Sequence, residues 1–142
     1  MGAGASYFFQ TRSSARTERF AREQQRRTER VAAYSAFASA ATELRRAQYD
    51  RWHRKNEDPA GQPAKAARVE AFRLRGVIQH AYFVVQLLTP SSKTAELARA
   101  AYEACASIHK ADSKDDLSAR GNAAEQALSE FIVGASAEID RP

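Results

Sequence analysis

Few side chains of this sequence could support catalysis or bind a metal ion, and they are scattered along the chain. His109 with Asp112 and Asp116 offers metal-ligating atoms, but a helix end is expected here, where His and Asp are also common as caps. Cys105, the single cysteine, falls on a packed helical stripe, where a thiol is usually inert. The sequence has no glycine-rich phosphate loop, no cysteine pair and no His-Glu metal motif. We therefore expect a protein that is not an enzyme and has no cofactor or metal.

His80 lies on a predicted helical face close to Val69, Phe83 and Leu87. A histidine among apolar residues is more often packed in a core or an interface than held ready as a catalytic base. We therefore assign His80 a packing role.

Arginines dominate one side of the first predicted helix. At about 100° per residue they fall within an arc of about 140°, and we call this set the arginine face: Arg12, Arg16, Arg19, Arg22, Arg26, Arg27 and Arg30. The face could bind the phosphates of an anionic membrane surface or of nucleic acid. Alternatively, it is a solvated helix held by i,i+4 pairs such as Glu18 with Arg22, Arg19 with Glu23, and Glu23 with Arg27. No helix-turn-helix spacing is evident, so we rank membrane lipid above nucleic acid.

The charge of the chain is unevenly distributed. Residues 1–55 contain 12 Lys and Arg against 5 Asp and Glu, whereas residues 91–142 contain 6 against 9. A basic front and an acidic back favour either an anionic partner or attraction between helices of one fold.

Composition and turn residues together predict four helices. Alanine is the commonest residue and aromatic residues are 9%, which favours helix over sheet. Turn residues cluster at 56–63, 89–92 and 110–116. The first helix, from near Ser13 to Lys55, is too long for a small bundle and must project from it. We predict an all-α, antiparallel four-helix bundle with a long projecting basic first helix. It forms one domain, residues 1–142, of which residues 1–30 project and residues 31–142 form the bundle.

Apolar residues in steps of three and four mark the packed faces of these helices. The first helix has Val31, Tyr34, Phe37, Ala41, Leu44, Gln48 and Trp52; the third has Leu97, Ala101, Cys105 and Ile108; the fourth has Leu117, Gly121, Ala124, Leu128, Phe131, Ala135 and Ile139. Trp52 is expected to pack over the start of the next helix. Thr89 before Pro90 predicts the N-cap of the third helix, and Ser113 with Asp116 predicts a capping box on the fourth.

The second helix, about residues 64–88, begins with Val69 and Phe72 on one face and continues as GVIQHAYFVVQLL, which is apolar nearly all round. A four-helix monomer buries little more than one face of each helix, so the excess predicts a homo-oligomer, specifically a homodimer. The predicted self-association residues are Val77, His80, Val84, Val85 and Leu88. A buried strand at AYFVV is the alternative, although no second strand is available to pair with it.

Residues 16–52, RTERFAREQQRRTERVAAYSAFASAATELRRAQYDRW, resemble the juxtamembrane helices of small actinobacterial proteins. In those proteins a membrane span leads into an Arg/Glu-rich helix and then an AYxxF segment. The resemblance covers about residues 3–52 and implies a membrane-proximal helical domain without catalytic residues. This sequence has no run of apolar residues long enough to span a bilayer, although MGAGASYFF is similar to the end of such a span.

These observations predict a non-enzymatic helical binding or scaffolding module that self-associates and presents a basic helix to an anionic surface such as membrane lipid. The alternative function is a nucleic-acid-binding helical protein. The expected location is the cytoplasm, with membrane association.

Overall fold

Four α-helices joined by short turns make up the fold of the computed structural model, which describes the backbone of residues 3–141 and the side chains of residues 10–141. The helices are α1 (Ala3–Glu57), α2 (Gln62–Leu88), α3 (Ser92–Ser107) and α4 (Lys114–Ile139), with a 3-10 turn at Ile108–Lys110. No strand occurs within residues 3–141, so the all-α prediction is confirmed. The AYFVV segment lies inside α2, and the strand alternative is wrong.

The packing of the helices follows from the shortness of their links, which makes consecutive helices antiparallel neighbours. α1 packs against each of the other three helices, while α2 packs on α3 and α3 packs on α4. α2 and α4 do not meet within residues 3–141, so they lie diagonally across the bundle. The predicted antiparallel four-helix bundle is therefore confirmed.

Thr89 ends α2 instead of starting α3, which corrects the cap predicted there. Its N–H donates to the carbonyl of Val85 at 2.9 Å. Pro90 disfavours helical backbone at the residue before it, and Thr89 is accordingly extended, with φ −87° and ψ 118°. Ser91 takes the N-cap position of α3, and its hydroxyl accepts from the N–H of Lys93 at 3.2 Å.

Ser113 caps α4 as predicted, with its hydroxyl accepting from the N–H of Asp116 at 3.1 Å. The Asp116 carboxylate reaches back to the N–H of Asp112 at 2.9 Å, one residue earlier than in a standard capping box. It also accepts from Arg120 at 3.0 Å. These bonds to the charged form hold the pKa of Asp116 below its ordinary value, led by the backbone N–H of Asp112.

The predicted stripe of α1 forms the centre of the core from Tyr34 to Trp52. Phe37 is completely buried and meets Phe131 of α4 edge to face, with ring centroids 4.8 Å apart. Trp52 is buried, and its indole N–H donates to the carbonyl of Ala111 at 2.8 Å, in the turn before α4. The expected burial of Trp52 is confirmed, whereas its packing over the start of α2 stays a prediction. Val31 is exposed, so the packed stripe begins at the next turn, contrary to prediction.

α1 leaves the bundle at its N-terminal end. Residues 10–32 are exposed except for Ala15 and Arg30, which are half-buried. The ion pair between Arg27 and Asp140, 3.7 Å apart, marks the end of the bundle. Residues 3–26 therefore project as helix by roughly 36 Å at about 1.5 Å per residue.

Candidate functional site

The arginine face lies on the projecting part of α1. Six of its seven members are exposed, and only Arg30, nearest the bundle, is half-buried. α1 is an unbroken helix across this region, so the predicted arc of about 140° holds along four turns or more. The result is a one-sided array of guanidinium groups on a rod.

Ion pairs neutralise little of the arginine face. Arg22 pairs with Glu18 at 3.6 Å, which is one of the three predicted i,i+4 pairs. Arg27 reaches Asp140 of α4 instead of Glu23. Within residues 10–141, the other five members form no ion pair. Exposed pairs of this kind contribute less than about 1 kcal/mol, so self-neutralisation does not account for the face.

Phe20 lies at the border of the arginine face. Its side chain is 64% exposed and sits about 20° beyond Arg27 on the helical wheel. An aromatic ring beside a row of basic residues is typical of helices that lie in a membrane interface.

A cleft of about 560 Å³ opens where α1 leaves the bundle, between α1, the α2–α3 turn and the end of α4. Glu138 lies buried in its wall and accepts from the hydroxyl of Tyr34 at 3.3 Å, while that hydroxyl is 3.2 Å from Oγ1 of Thr89. Burial raises the pKa of Tyr34, so the phenol stays protonated. The cleft contains both signs of charge, from Arg26, Arg27, Arg30, Arg141, Glu23, Glu138 and Asp140. The Tyr34 hydroxyl therefore connects α1 to the end of α2 and to α4 at the base of the arginine face.

α2 carries two apolar seams on opposite faces. The inner seam is buried against the bundle and consists of Ala64, Ala67, Ala71, Leu74, Ile78, Ala81 and Val85. The outer seam faces solvent and consists of Val69, Phe72, Gly76, His80, Phe83 and Leu87. Leu87 is 83% exposed, Phe72 76% and Val69 66%. At about 100° per residue the two seams are centred roughly 175° apart, so the helix has a second face that no residue from 10 to 141 covers.

The predicted self-association residues divide between these surfaces. His80 is exposed on the outer seam, and Val77 is exposed on its flank. Val84 and Leu88 are half-buried and pack against the core. Val85 is completely buried in the inner seam, so its assignment to a partner surface is corrected. Sequence reasoning assigned the apolar surplus to the right helix and did not distinguish its two faces.

Val69 and Phe72 lie on one face of α2 as predicted, and the structure places that face on the outside. Alanines take the inner positions instead, because small side chains allow α2 and α1 to approach closely. Phe72 and Gly76 are the functional candidates that the sequence reasoning missed. The steps of three and four from residue 69 to residue 87 are the signal that could have identified them.

The residues considered for chemistry occupy structural positions. His109 is half-buried with Nδ1 2.9 Å from the carbonyl oxygen of Ala106; burial, followed by the charge of Arg51, lowers its pKa. Burial raises the pKa of the Cys105 thiol to about 11. Among the described residues, no three His, Cys, Asp or Glu side chains come together as a metal site. His53 stacks edge to face on Trp52 at 5.2 Å.

No helix in the described part of the chain combines the length and apolar character needed to cross a membrane. The apolar segment of α2, residues 76–88, is preceded in the same helix by Lys65, Arg68, Glu70, Arg73 and Arg75.

Comparison with known proteins gives a family for most of the chain. No curated protein and no solved structure matches it significantly. A family model described as KilB plasmid transfer protein matches residues 31–139. The matched range covers the bundle and begins just after Arg30, so the arginine face lies outside it. The match does not show the resemblance to actinobacterial juxtamembrane helices. Because the match spans more than half of the sequence, this chain belongs to the KilB plasmid transfer protein family.

Proposed function

We propose that this chain is a non-enzymatic helical scaffold in plasmid transfer, which self-associates and binds an anionic membrane surface on its cytoplasmic side through the arginine face. The family supports the role in plasmid transfer. The resemblance of residues 3–52 to juxtamembrane helices agrees with the membrane surface.

The exposure of the arginine face carries this proposal. A helix that projects beyond its bundle with an unburied row of arginines has no role in packing its own core. Near an anionic bilayer each such side chain contributes about 1 kcal/mol, and the attraction falls off within a screening length of about 8 Å. Phe20 adds an apolar group that can enter the headgroup region.

The test compares two variants that lose the same charge from different places. The first changes Arg12, Arg16, Arg19 and Arg26 to Gln, which removes four exposed cations of the face and keeps helix propensity. The control changes Arg46, Arg68, Arg99 and Lys110 to Gln, four exposed cations of the bundle.

We expect the control to bind vesicles of phosphatidylglycerol and phosphatidylcholine nearly as well as the unchanged chain in a flotation assay. The first variant should lose at least tenfold in affinity. Equal losses in the two variants would show attraction by net charge alone, and no binding by the unchanged chain would refute the membrane proposal.

Nucleic acid is the second candidate, and the family description favours it because plasmid transfer moves DNA. If phosphates of a duplex neutralise the arginines, the affinity must fall steeply with salt, with a slope near −0.9 for each phosphate contact. Fluorescence anisotropy with a random duplex and the same two variants measures this. Loss of duplex binding in the first variant alone, with no vesicle binding, would establish this candidate over the first.

A further inference from the structure

We infer that the outer seam of α2 pairs antiparallel with the outer seam of a second copy, so that two arginine faces project from opposite ends of one dimer and bridge two anionic surfaces. The bridging rests on the proposed function, whereas the pairing itself rests on α2 alone.

Gly76 points to the second copy, because no contact within the described part of the chain requires a glycine there. A Cβ built on Gly76 meets no atom within 4 Å, and the backbone is ordinary helix. Glycine in a helix interior costs about 1 kcal/mol relative to alanine. The site lies in the middle of the outer seam, where a second helix can approach closely only if this side chain is absent.

The distribution of charge along α2 favours antiparallel over parallel pairing of the two copies. Its first half contains Lys65, Arg68, Arg73 and Arg75 against Glu70, whereas residues 76–88 contain no acidic or basic side chain apart from His80. A parallel pair would place the two basic halves side by side. An antiparallel pair places each basic half against a neutral half and also opposes the helix dipoles.

The spacing of the outer seam fits a two-fold axis between Gly76 and His80. Val69 and Leu87 are equally far from this axis along the helix, and so are Gly76 and His80. Val69 therefore faces Leu87 of the second copy, and Gly76 faces His80 of the second copy. Phe72 lies beside Phe83 of the second copy within one residue of this register. The imidazole of His80 fills the space that the missing Cβ of Gly76 leaves.

The direction of α1 turns this pairing into a two-ended dimer. The Tyr34 hydroxyl lies 3.2 Å from Oγ1 of Thr89, so the C-terminal end of α2 is beside the point where α1 leaves the bundle. The arginine face therefore extends in the direction in which α2 runs. In an antiparallel pair the two faces point away from each other, separated by a bundle length of roughly 40 Å.

Cysteine cross-linking tests the direction of the pair. Cys105 is buried and does not compete. An equal mixture of Val69→Cys and Leu87→Cys chains should form a disulfide between the two variants on mild oxidation, whereas each variant alone should not. A disulfide within Val69→Cys alone would indicate parallel pairing and overturn the inference, because antiparallel pairing holds those residues roughly 27 Å apart.

Leu87→Glu tests the seam, and Val133→Glu is its matched control because Val133 is an apolar residue of α4 that is 71% exposed. We expect sedimentation to report a dimer for the unchanged chain and the control, and at least tenfold weaker association for Leu87→Glu. Circular dichroism must show both variants folded; if Leu87→Glu unfolds, Phe72→Glu replaces it. A monomeric unchanged chain, or equal association of all three proteins, overturns the inference.

Vesicle clustering tests whether one dimer bridges two anionic surfaces. The unchanged chain and Val133→Glu should cluster phosphatidylglycerol vesicles in light scattering, whereas Leu87→Glu should bind them without clustering. Clustering by Leu87→Glu at the level of the unchanged chain would overturn the bridge. If none of the proteins binds vesicles, the proposed function fails, and the cross-linking result alone decides the antiparallel pairing.

Discussion

The two halves of α1 are kept helical by different interactions. Between Ala33 and Trp52 the helix buries one stripe against all three of its neighbours. Between residues 10 and 32 it buries almost nothing and depends on helix propensity and a few local bonds, such as that from Thr17 to the carbonyl of Ser13. A continuous helix can therefore be a core element and a surface element in succession, with tertiary contacts stabilising only the core part.

The largest expected difference between the halves is between their phenylalanines. Phe37→Ala removes a completely buried ring and its edge-to-face contact with Phe131. We expect a loss of about 4 kcal/mol in the free energy of unfolding. Phe20→Ala in the projecting half should change it by less than about 0.5 kcal/mol. Urea denaturation measures both free energies of unfolding. A similar loss in the two variants would contradict the division of α1 into a packed half and an exposed half.

Trp52→Ala should have the next largest effect, at about 3 kcal/mol, because it removes a buried ring and leaves the carbonyl of Ala111 without its donor. Trp52→Phe keeps most of the packing and should lose less. Denaturant titration followed by circular dichroism separates the two variants. The folded, unchanged chain should show blue-shifted tryptophan fluorescence; emission as red as free tryptophan would refute the burial.

The Cys105 thiol should give the bundle a pH dependence in alkaline solution. Burial raises its pKa from the ordinary 9.0 to about 11, so between these values the unfolded thiol ionises and the folded one does not. The free energy of unfolding should therefore fall as pH rises through this range, by about 2 kcal/mol for this group. The difference between the unchanged chain and Cys105→Ala isolates it, and parallel pH profiles would contradict the assignment.

The smallest effect is expected from deleting residues 1–26. This removes the projecting turns but keeps the Arg27–Asp140 pair, so the free energy of unfolding should change by less than about 0.5 kcal/mol. The helical signal in circular dichroism should fall in proportion to the residues lost. An unfolded product would show that the polar half of α1 packs against part of the fold.

Large apolar residues made most of the bundle predictable. The stripes of α1 and α4 run in steps of three and four and include bulky side chains such as Phe37, Leu44 and Phe131. Apart from Val31, their residues are buried or half-buried as predicted. Ser113 was identifiable as a cap because a hydroxyl three residues before an acidic side chain is a local signal. The family could not be predicted from the residues, since the sequence analysis found no catalytic or metal-binding motif that would indicate one.

The buried face of α2 was harder to predict because many of its buried residues are small and many of its exposed residues are large. The inner seam is mostly alanine, which gives a weak hydrophobic signal, while Phe72 and Leu87 look like core residues and are exposed. Thr89 was misassigned because its type suits an N-cap, whereas Pro90 after it makes an extended helix end equally favourable. Whether the arginine face binds a partner depends on molecules outside the chain, and sequence pattern does not encode them.

The continuity of α1 from Ala3 to Glu57 also has a mechanical consequence. A pull on the N-terminal end along the helix axis would be transmitted through a single rod into the bundle. The stripe from Tyr34 to Trp52 would then be loaded in shear, so that all of its contacts resist sliding at the same time. Tension applied to the arginine face would therefore be shared across the core before any one contact gives way.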